Sequence, residues 1–331
     1  MYFNFRFQRI LASAAFSTAV LALLPSHAQA AEEWQPQRPI RMVLGYTPGG
    51  AADAVARDLG PLMEKVLGQP VVVDYRPGAG GAIAVEAVAN AAPDGLTIGL
   101  IDGAPLTIVP NARKVNYDPL TSLSYVGVVS RSPLVILANP EVPVKTLPDL
   151  LALARAKPGE ISYATSGIAT IHQMSAELLG ASTSTSMLHV PYKGAAPALT
   201  DLMAGAVKVS FSTIAPAVPL VQTGRVRAIA VTADREVAAL PGVKTVAAQG
   251  VPGYDAEGWF VMAAPKGLPA PVLAKLNQAL NAALGNPAIR QKMAEQGNDV
   301  SPSTPVAAAE LVKVDYRKWG EVIRSQRLSF D

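Results

Sequence analysis

The sequence predicts an α/β fold in which mostly parallel sheets are flanked by helices. Short apolar runs alternate along the chain with longer segments of helical periodicity, a pattern typical of repeated βαβ units. Half of the 331 residues are hydrophobic, which is enough for one large core or two smaller ones. The 26 glycines and 28 prolines fit a fold with many short connections.

The first three strands come with two intervening helices. Apolar runs predict strands over 40–44, 71–75 and 96–101. Helical spacing predicts helices over 51–67 and 82–90, so the order is strand, helix, strand, helix, strand.

The same alternation continues to the C-terminus. Further strands are predicted over 134–137, 161–165, 187–190, 207–211, 228–231 and 260–264. Further helices are predicted over 148–156, 170–179, 197–204, 271–284, 288–296 and 305–323.

Two long segments, 125–138 and 251–264, have the character of crossovers between lobes, the first broken at 130–133. A chain that leaves one sheet and later returns would form two lobes joined by a double hinge, and such scaffolds close around a ligand. The alternative is a single doubly wound sheet, and composition does not separate the two.

The N-terminus has the pattern of a secretory signal peptide. Arg6 and Arg9 precede an apolar run over 10–25, and Ala28 and Ala30 provide the small residues of a cleavage site after Ala30. The alternative is a membrane anchor, which would need about 20 apolar residues. The chain is therefore expected to be exported.

Composition and missing motifs exclude several function classes. The chain has no cysteine, so disulfides, thiolate metal sites and cysteine nucleophiles are ruled out. The formal net charge is only +3 and there is no basic run, so nucleic acid is not an expected partner. Neither a nucleotide-binding motif nor a metal-ligand spacing is present. We therefore expect no cofactor, no metal, no catalytic residue and no enzymatic activity.

Two glycine-rich turns, over 46–50 and 77–81, follow the first and second strands. In open α/β sheets the ligand crevice lies at the carboxyl ends of the strands. Glycine lets a ligand approach the main chain closely, and the first amides of the following helix carry partial positive charge. Two such turns facing each other would hold a carboxylate or phosphate without an arginine. Either turn alone could equally be a tight connection.

Two aspartates lie near these turns. Asp53, just inside the first helix, is expected to satisfy amides at the helix start, with a ligand ammonium as the alternative partner. Asp102 follows the third strand at the same end of the sheet, where it is either a turn residue or a partner for a cationic or hydroxyl group of the ligand.

A third strand-to-helix turn, over 165–170, offers hydroxyls and free amides to a second cluster of ligand oxygens. Alternatively, Ser166 or Thr170 caps the helix. His172 is expected to cap or pack rather than to transfer protons, and His189 is expected in the core of a strand.

Several short segments, in the same order along nearly the whole mature chain, resemble the Bug-type solute receptors, the periplasmic binding components of tripartite tricarboxylate transporters. These segments are 38–41, 48–50 with Asp53, 56–57, 67–73, 76–81, 91–95, 190–194 with 197–198, 224–228, 252–254 and Trp259.

The resemblance implies a two-lobed periplasmic binding protein of type II-like architecture, in which each lobe is a mostly parallel sheet flanked by helices and a double-strand hinge joins them. After a signal peptide over 1–30, the first lobe would comprise 31–129 and 252–331, and the second lobe 130–251.

The resemblance also implies a small carboxylated ligand held by backbone amides of the two glycine turns, with contacts from the third turn and from 212–213 setting specificity. The candidate ligand-binding residues are Tyr46, Pro48, Gly49, Gly50, Ala51, Ala52, Asp53, Gly78, Ala79, Gly80, Gly81, Asp102, Ser166, Ile168, Thr170, Ser212 and Thr213.

The chain departs from the family pattern at three positions. Ala82 and Ala84 replace the Asn and Gly that are frequent after the second glycine turn, and Asp102 replaces a small or hydroxylated residue. A carboxylate at 102 would repel a second ligand carboxylate. We therefore expect the distal end of the ligand to be neutral, hydroxylated or amino-bearing.

These features predict a monomeric receptor that captures a small organic carboxylate or an amino acid-like ligand and delivers it to a membrane permease. An alternative output is sensing through a membrane kinase. A secreted α/β hydrolase is the rival from another class, but G-x-S-x-G is absent.

Overall fold

A computed structural model describes residues 34–49, 51–328 and 330, and the predicted signal peptide lies outside them. Its strands are β1 Ile40–Leu44, β2 Val71–Tyr75, β3 Thr97–Asp102, β4 Leu123–Ala138, β5 Ser162–Thr165, β6 Leu188–Pro191, β7 Val209–Thr213, β8 Arg227–Val231 and β9 Glu257–Pro265.

Helices alternate with these strands. They are α1 Ala51–Leu67, α2 Ala82–Ala89, α3 Val109–Ala112, α4 Leu147–Ala156, α5 Ile171–Thr183, α6 Ala195–Met203, α7 Ile214–Gln222, α8 Ala270–Leu284, α9 Pro287–Glu295 and α10 Pro305–Ser325. A π-helical turn, Ala104–Ile108, leads directly into α3.

Local capping explains several helix starts. Thr146 forms a capping box with Asp149 at α4, and Thr304 accepts a hydrogen bond from the Ala307 amide at α10. Within the described part of the chain, no helix is both long and apolar enough to cross a membrane.

The strands form one sheet with two halves of parallel character, joined by antiparallel strands. In the first sheet half, β1 pairs in parallel with β2 and β3, and β9 and the first part of β4 continue this half. In the second sheet half, β5 pairs in parallel with β6 and β7, and the last part of β4 pairs with β7 and β8. The predicted α/β class is therefore confirmed. The mostly parallel pairing is not, since the described strands form four parallel and four antiparallel pairs and the sheet is mixed.

Strand β4 connects the two halves without interruption. Its residues up to Pro133 pair with β9, and those from Leu134 onward pair with β7 and β8. The break predicted over 130–133 is thus wrong. Pro133 is tolerated because it lies where the strand changes partners, at the end of the β9 ladder, so its missing amide costs little there.

Two further helical segments were not predicted from the sequence. Residues 104–112 form a π turn followed by α3, and residues 214–222 form α7. Both contain prolines, which lower helical propensity, although Pro105 and Pro110 stand near helix starts, where proline is accommodated.

Apolar clusters fill both halves, and α10 contacts both. In the first half, one cluster includes Met42, Leu59 and Leu276. Farther along the chain, Val312 of α10 joins a cluster with strand residues of the first half, whereas Trp319 joins a cluster that contains strand residues of the second half. The final helix therefore spans the junction between the halves.

We predict that Thr232→Val destabilises this junction. The Thr232 side chain is fully buried; its Oγ1 accepts a hydrogen bond from the Leu134 amide at 2.9 Å and donates one to the Ala256 carbonyl at 2.7 Å. Valine would leave both groups unpaired, so the free energy of unfolding should fall by about 1–3 kcal/mol in urea titrations.

The matched control is Thr200→Val on the exposed surface of α6, which should change the unfolding free energy by less than about 0.5 kcal/mol. Equal effects of the two substitutions would contradict the role given to Thr232.

Candidate ligand-binding site

A cavity of about 930 Å³ is lined by residues from both sheet halves and from the segment 104–112. It lies where β1 and β3 end, as expected for an open α/β sheet. Eight of the predicted site residues line it: Tyr46, Ala51, Gly80, Asp102, Ser166, Ile168, Thr170 and Thr213.

The second glycine turn is in direct contact with Gly45, the residue between β1 and the first glycine turn, and lies near the hydroxyl of Tyr46. A Cβ atom added to Gly45 would lie 2.8 Å from Cα of Gly81, a distance that real side chains do not adopt. A Cβ on Gly81 would lie 3.1 Å from Cγ of Pro105 and 3.5 Å from the hydroxyl oxygen of Tyr46. The absence of side chains at these positions is therefore what brings the end of β1 against the start of α2.

The second turn has an unusual backbone. Ala79, Gly80 and Gly81 all have positive φ, at 50°, 63° and 89°, and α2 begins immediately afterwards without a side-chain cap. The first amides of a helix have no intrahelical acceptor, and the helix dipole places positive partial charge there. This end of α2 can therefore stabilise an anion.

Arg113 lies beside this turn, a feature that sequence reasoning missed. Its Nη2 donates to the Ala79 carbonyl at 2.6 Å, and the side chain lines the cavity. The sequence does not predict the helical segment 104–112 that carries Arg113 to the cavity, so nothing in the sequence places this cation near the glycines. The end of the cavity beside the second glycine turn therefore contains a guanidinium as well as main-chain amides.

Tyr46 and Asp102 form a hydrogen-bonded pair on the cavity wall. The Tyr46 hydroxyl lies 3.0 Å from each carboxylate oxygen of Asp102. Burial raises the pKa of Asp102 to about 6, although the Tyr46 hydroxyl and the amides of Asp102 and Ala104 oppose this shift. Burial and the neighbouring carboxyl raise the pKa of Tyr46, which stays protonated and donates to Asp102.

The opposite wall comes from the start of α5. The Ser166 hydroxyl lies 2.8 Å from Nδ1 of His172, and Thr170 caps α5 through the Gln173 amide while its hydroxyl donates to the Gly167 carbonyl. Both hydroxyls thus have partners within the turn. Ile168 has an apolar side chain with no hydrogen-bonding group, and it is 55% exposed.

His172 lines the cavity in its neutral form. Burial lowers its pKa to about 4, and its Nε2 is buried with no hydrogen-bond partner among the described residues. His189, expected in the core, is only half-buried; it stacks on Tyr163 with ring centroids 4.9 Å apart.

The remaining predicted site residues do not line the cavity. Asp53 accepts hydrogen bonds from the Gly49 amide, Arg57 and Tyr75, which hold its pKa below the ordinary value. Gly50 lies outside the described residues. The other described site residues that do not line the cavity are Pro48, Gly49, Ala52, Gly78, Ala79, Gly81 and Ser212.

Glu257 and Trp259 of β9 also line the cavity and were not predicted to do so. Glu257 is buried and pairs with Arg235 at 2.6 Å; burial raises its pKa and the guanidinium opposes that rise. The Trp259 Nε1 donates to Asp315 at 2.6 Å, which fixes the ring. Trp259 belongs to the segments that resemble the family, and this resemblance is the one sequence feature that could have indicated a role for Trp259 in the site.

The chain is similar to known receptors over most of its length. The model of a family described as the tripartite tricarboxylate transporter family receptor matches residues 55–328. Protein BugT from Bordetella pertussis is 33% identical over 291 residues, which are 87% of this chain and 89% of BugT.

Solved structures are similar as well. The periplasmic binding protein BugD has 33% identity and a TM-score of 0.73, with 89% of this chain and 99% of BugD covered. R. palustris Rpa4515 with adipate has 31% identity, a TM-score of 0.75 and the same coverage. MatC from Rhodopseudomonas palustris with bound malate has 30% identity and a TM-score of 0.73, with 87% and 99% covered.

We predict that deprotonation of Asp102 lowers the free energy of unfolding as the pH rises. Its pKa is about 6 in the folded chain and 3.8 ordinarily, so the folded protein binds the proton more tightly. The stabilising contribution is complete below pH 4 and is lost as the pH rises through 6. Asp102→Asn should therefore become more stable relative to wild type between pH 4 and pH 7, by about 1–3 kcal/mol.

Urea unfolding at several pH values measures this difference. Stability profiles that stay parallel for the two proteins would contradict the raised pKa.

Proposed function

Because the chain belongs to the tripartite tricarboxylate transporter receptor family, we propose that it captures a small organic carboxylate in the cavity and presents it to a membrane permease. The family consists of solute receptors rather than enzymes, and the structurally similar proteins are two-lobed periplasmic binding proteins. The observation that supports the proposal is the close approach of Gly45, at the end of β1, to Gly81 at the start of α2, together with the presence of Ala51 and Gly80 on the wall of one cavity.

The carboxylate is proposed to bind at this end, through main-chain amides of the two turns. The relatives Rpa4515 and MatC have adipate and malate bound, so two similar chains hold carboxylates. In this chain, helix starts and the Arg113 guanidinium supply the positive potential such a group requires.

The lobes are proposed to comprise 31–129 with 252–331, and 130–251, with β4 and β9 as the hinge. The pairing of β4 supports this division, since the strand changes partners between Pro133 and Leu134. Contacts with a ligand on both lobes would favour a closed form over an open one.

Export to the periplasm, with cleavage after Ala30, and a monomeric state complete the proposal. The periplasmic relatives support the location.

We predict that carboxylates raise the unfolding temperature of the purified protein and that Gly81→Ala weakens their binding by tenfold or more. Acetate, hexanoate, benzoate, malate and adipate are suitable probes. A ligand present at 100 times its Kd stabilises the folded protein by about 2.7 kcal/mol. The added methyl group would contact Pro105 and separate the turns.

Gly159→Ala is the matched control. Gly159 has a φ of +74°, similar to the +89° of Gly81, but a Cβ there meets no atom within 4 Å. Both variants carry the strain of a left-handed alanine, about 1–2 kcal/mol, and only Gly81→Ala should lose affinity in calorimetric titration. The proposed function fails if no carboxylate binds, and the proposed grip fails if Gly81→Ala binds like wild type.

A further inference from the structure

Most of the cavity lies beyond the glycine turns. Its volume of about 930 Å³ is at the upper end of the roughly 300–1,000 Å³ found for pockets that hold drug-sized ligands. A compact carboxylate held at the glycine turns would occupy a small part of this space. The composition of the rest of the wall therefore indicates what the remainder of the ligand is made of.

Six apolar residues of the wall share one hydrophobic cluster, and we call this group the apolar chamber. Its members all line the cavity and all belong to, or pack against, one apolar cluster whose other members are buried behind them. They are Ala104, Ile108, Ala112, Ala169, Ile171 and Phe330.

Two segments of the chain supply most of the apolar chamber. Ala104, Ile108 and Ala112 recur every fourth residue, which places them on one face of the helical segment 104–112. Ala169 and Ile171 come from the turn into α5 on the other sheet half. An apolar group between these surfaces would be removed from water on two sides.

Ile168 adds an exposed apolar side chain at the same turn. It is 55% exposed and lines the cavity. A large exposed apolar side chain inside a concave, ligand-sized site is typical of a contact that a ligand covers. Leu188 has the same 55% exposure but lies on the edge strand β6, away from the cavity.

The charges of the wall disfavour a second ligand carboxylate. Among the described lining residues, Arg113 is the only lysine or arginine, and it lies beside the second glycine turn. The acidic lining residues are Asp102 and Glu257, and His172 is neutral because burial lowers its pKa to about 4. Among the described lining residues, a second carboxylate would therefore meet two carboxylates, apolar groups and neutral polar side chains such as Ser132, Gln296 and Asn298, but no second cation.

We propose that the ligand is a monocarboxylate with an aliphatic or aromatic body, and that this body occupies the apolar chamber and is covered by Ile168. The inference rests on the proposed function and extends it to a substrate class. It separates this receptor from one for compact dicarboxylates, since specificity comes from buried apolar surface and not from a second charged group.

Calorimetric titration of the purified protein with two matched series tests the proposal. The first series is butanoate, hexanoate and octanoate, and the second is the dicarboxylates succinate, adipate and suberate. Each buried methylene contributes about 0.8 kcal/mol, so the Kd of the monocarboxylates should fall about fourfold per added methylene. Octanoate should bind at least tenfold more tightly than suberate, which has the same number of carbons.

Ile168→Ser should weaken octanoate binding about tenfold and change butanoate binding by less than about twofold. Leu188→Ser removes an equally exposed leucine outside the cavity and should change neither. Because both positions are on the surface, both variants are expected to fold, and circular dichroism confirms this before titration.

The results distinguish this inference from the function on which it rests. Tighter binding of suberate than octanoate, a Kd independent of chain length, or equal effects of the two variants would overturn the inference and leave carboxylate capture intact. Absence of binding by every acid in both series would overturn both.

Discussion

The site depends on the close approach of Gly45, at the end of β1, to Gly81 in the second glycine turn. Gly45 and Gly81 approach so closely that a methyl group on Gly45 would lie 2.8 Å from Cα of Gly81. This contact places the end of β1 against the start of α2, and Ala51 at the start of α1 lines the same cavity as Gly80. The amides at helix starts attract anions. Under the proposed function, a carboxylate-sized group is held largely by the main chain. The side chains of the wider cavity are then free to determine which carboxylate is preferred.

The second requirement is that the two sheet halves stay connected while each contributes a wall. Strand β4 belongs to both halves, and Thr232 secures it where it changes partners. Arg235 lies near the same junction: it pairs with Glu257 of β9, and its Nε donates to Asp299 at 2.8 Å. These contacts connect the walls. Under the proposed lobe division, a change in the separation of the walls would be absorbed between Pro133 and Leu134, where β4 changes partners.

The sequence predicted the elements with strong periodicity and clear boundaries. The strand over 40–44 and the helix over 51–67 have the predicted bounds, because apolar patterning and glycine punctuation agree there. The segment 104–112 was missed because its prolines and its π turn weaken the helical signal. Arg113 was missed with it, since only the folded backbone carries that side chain to the second turn. Gly45 and Gly81 are far apart in the sequence. The sequence therefore shows that both are glycines but does not show that they are in contact.

The most direct test of the main-chain grip is a crystal structure of the protein with a bound carboxylate such as octanoate. The account predicts that the carboxylate oxygens lie within hydrogen-bond distance, about 2.7–3.2 Å, of backbone nitrogens in 46–52 and 79–84. A carboxylate held mainly by the Arg113 guanidinium, or bound at the Ser166–Thr170 turn away from the glycines, would contradict it.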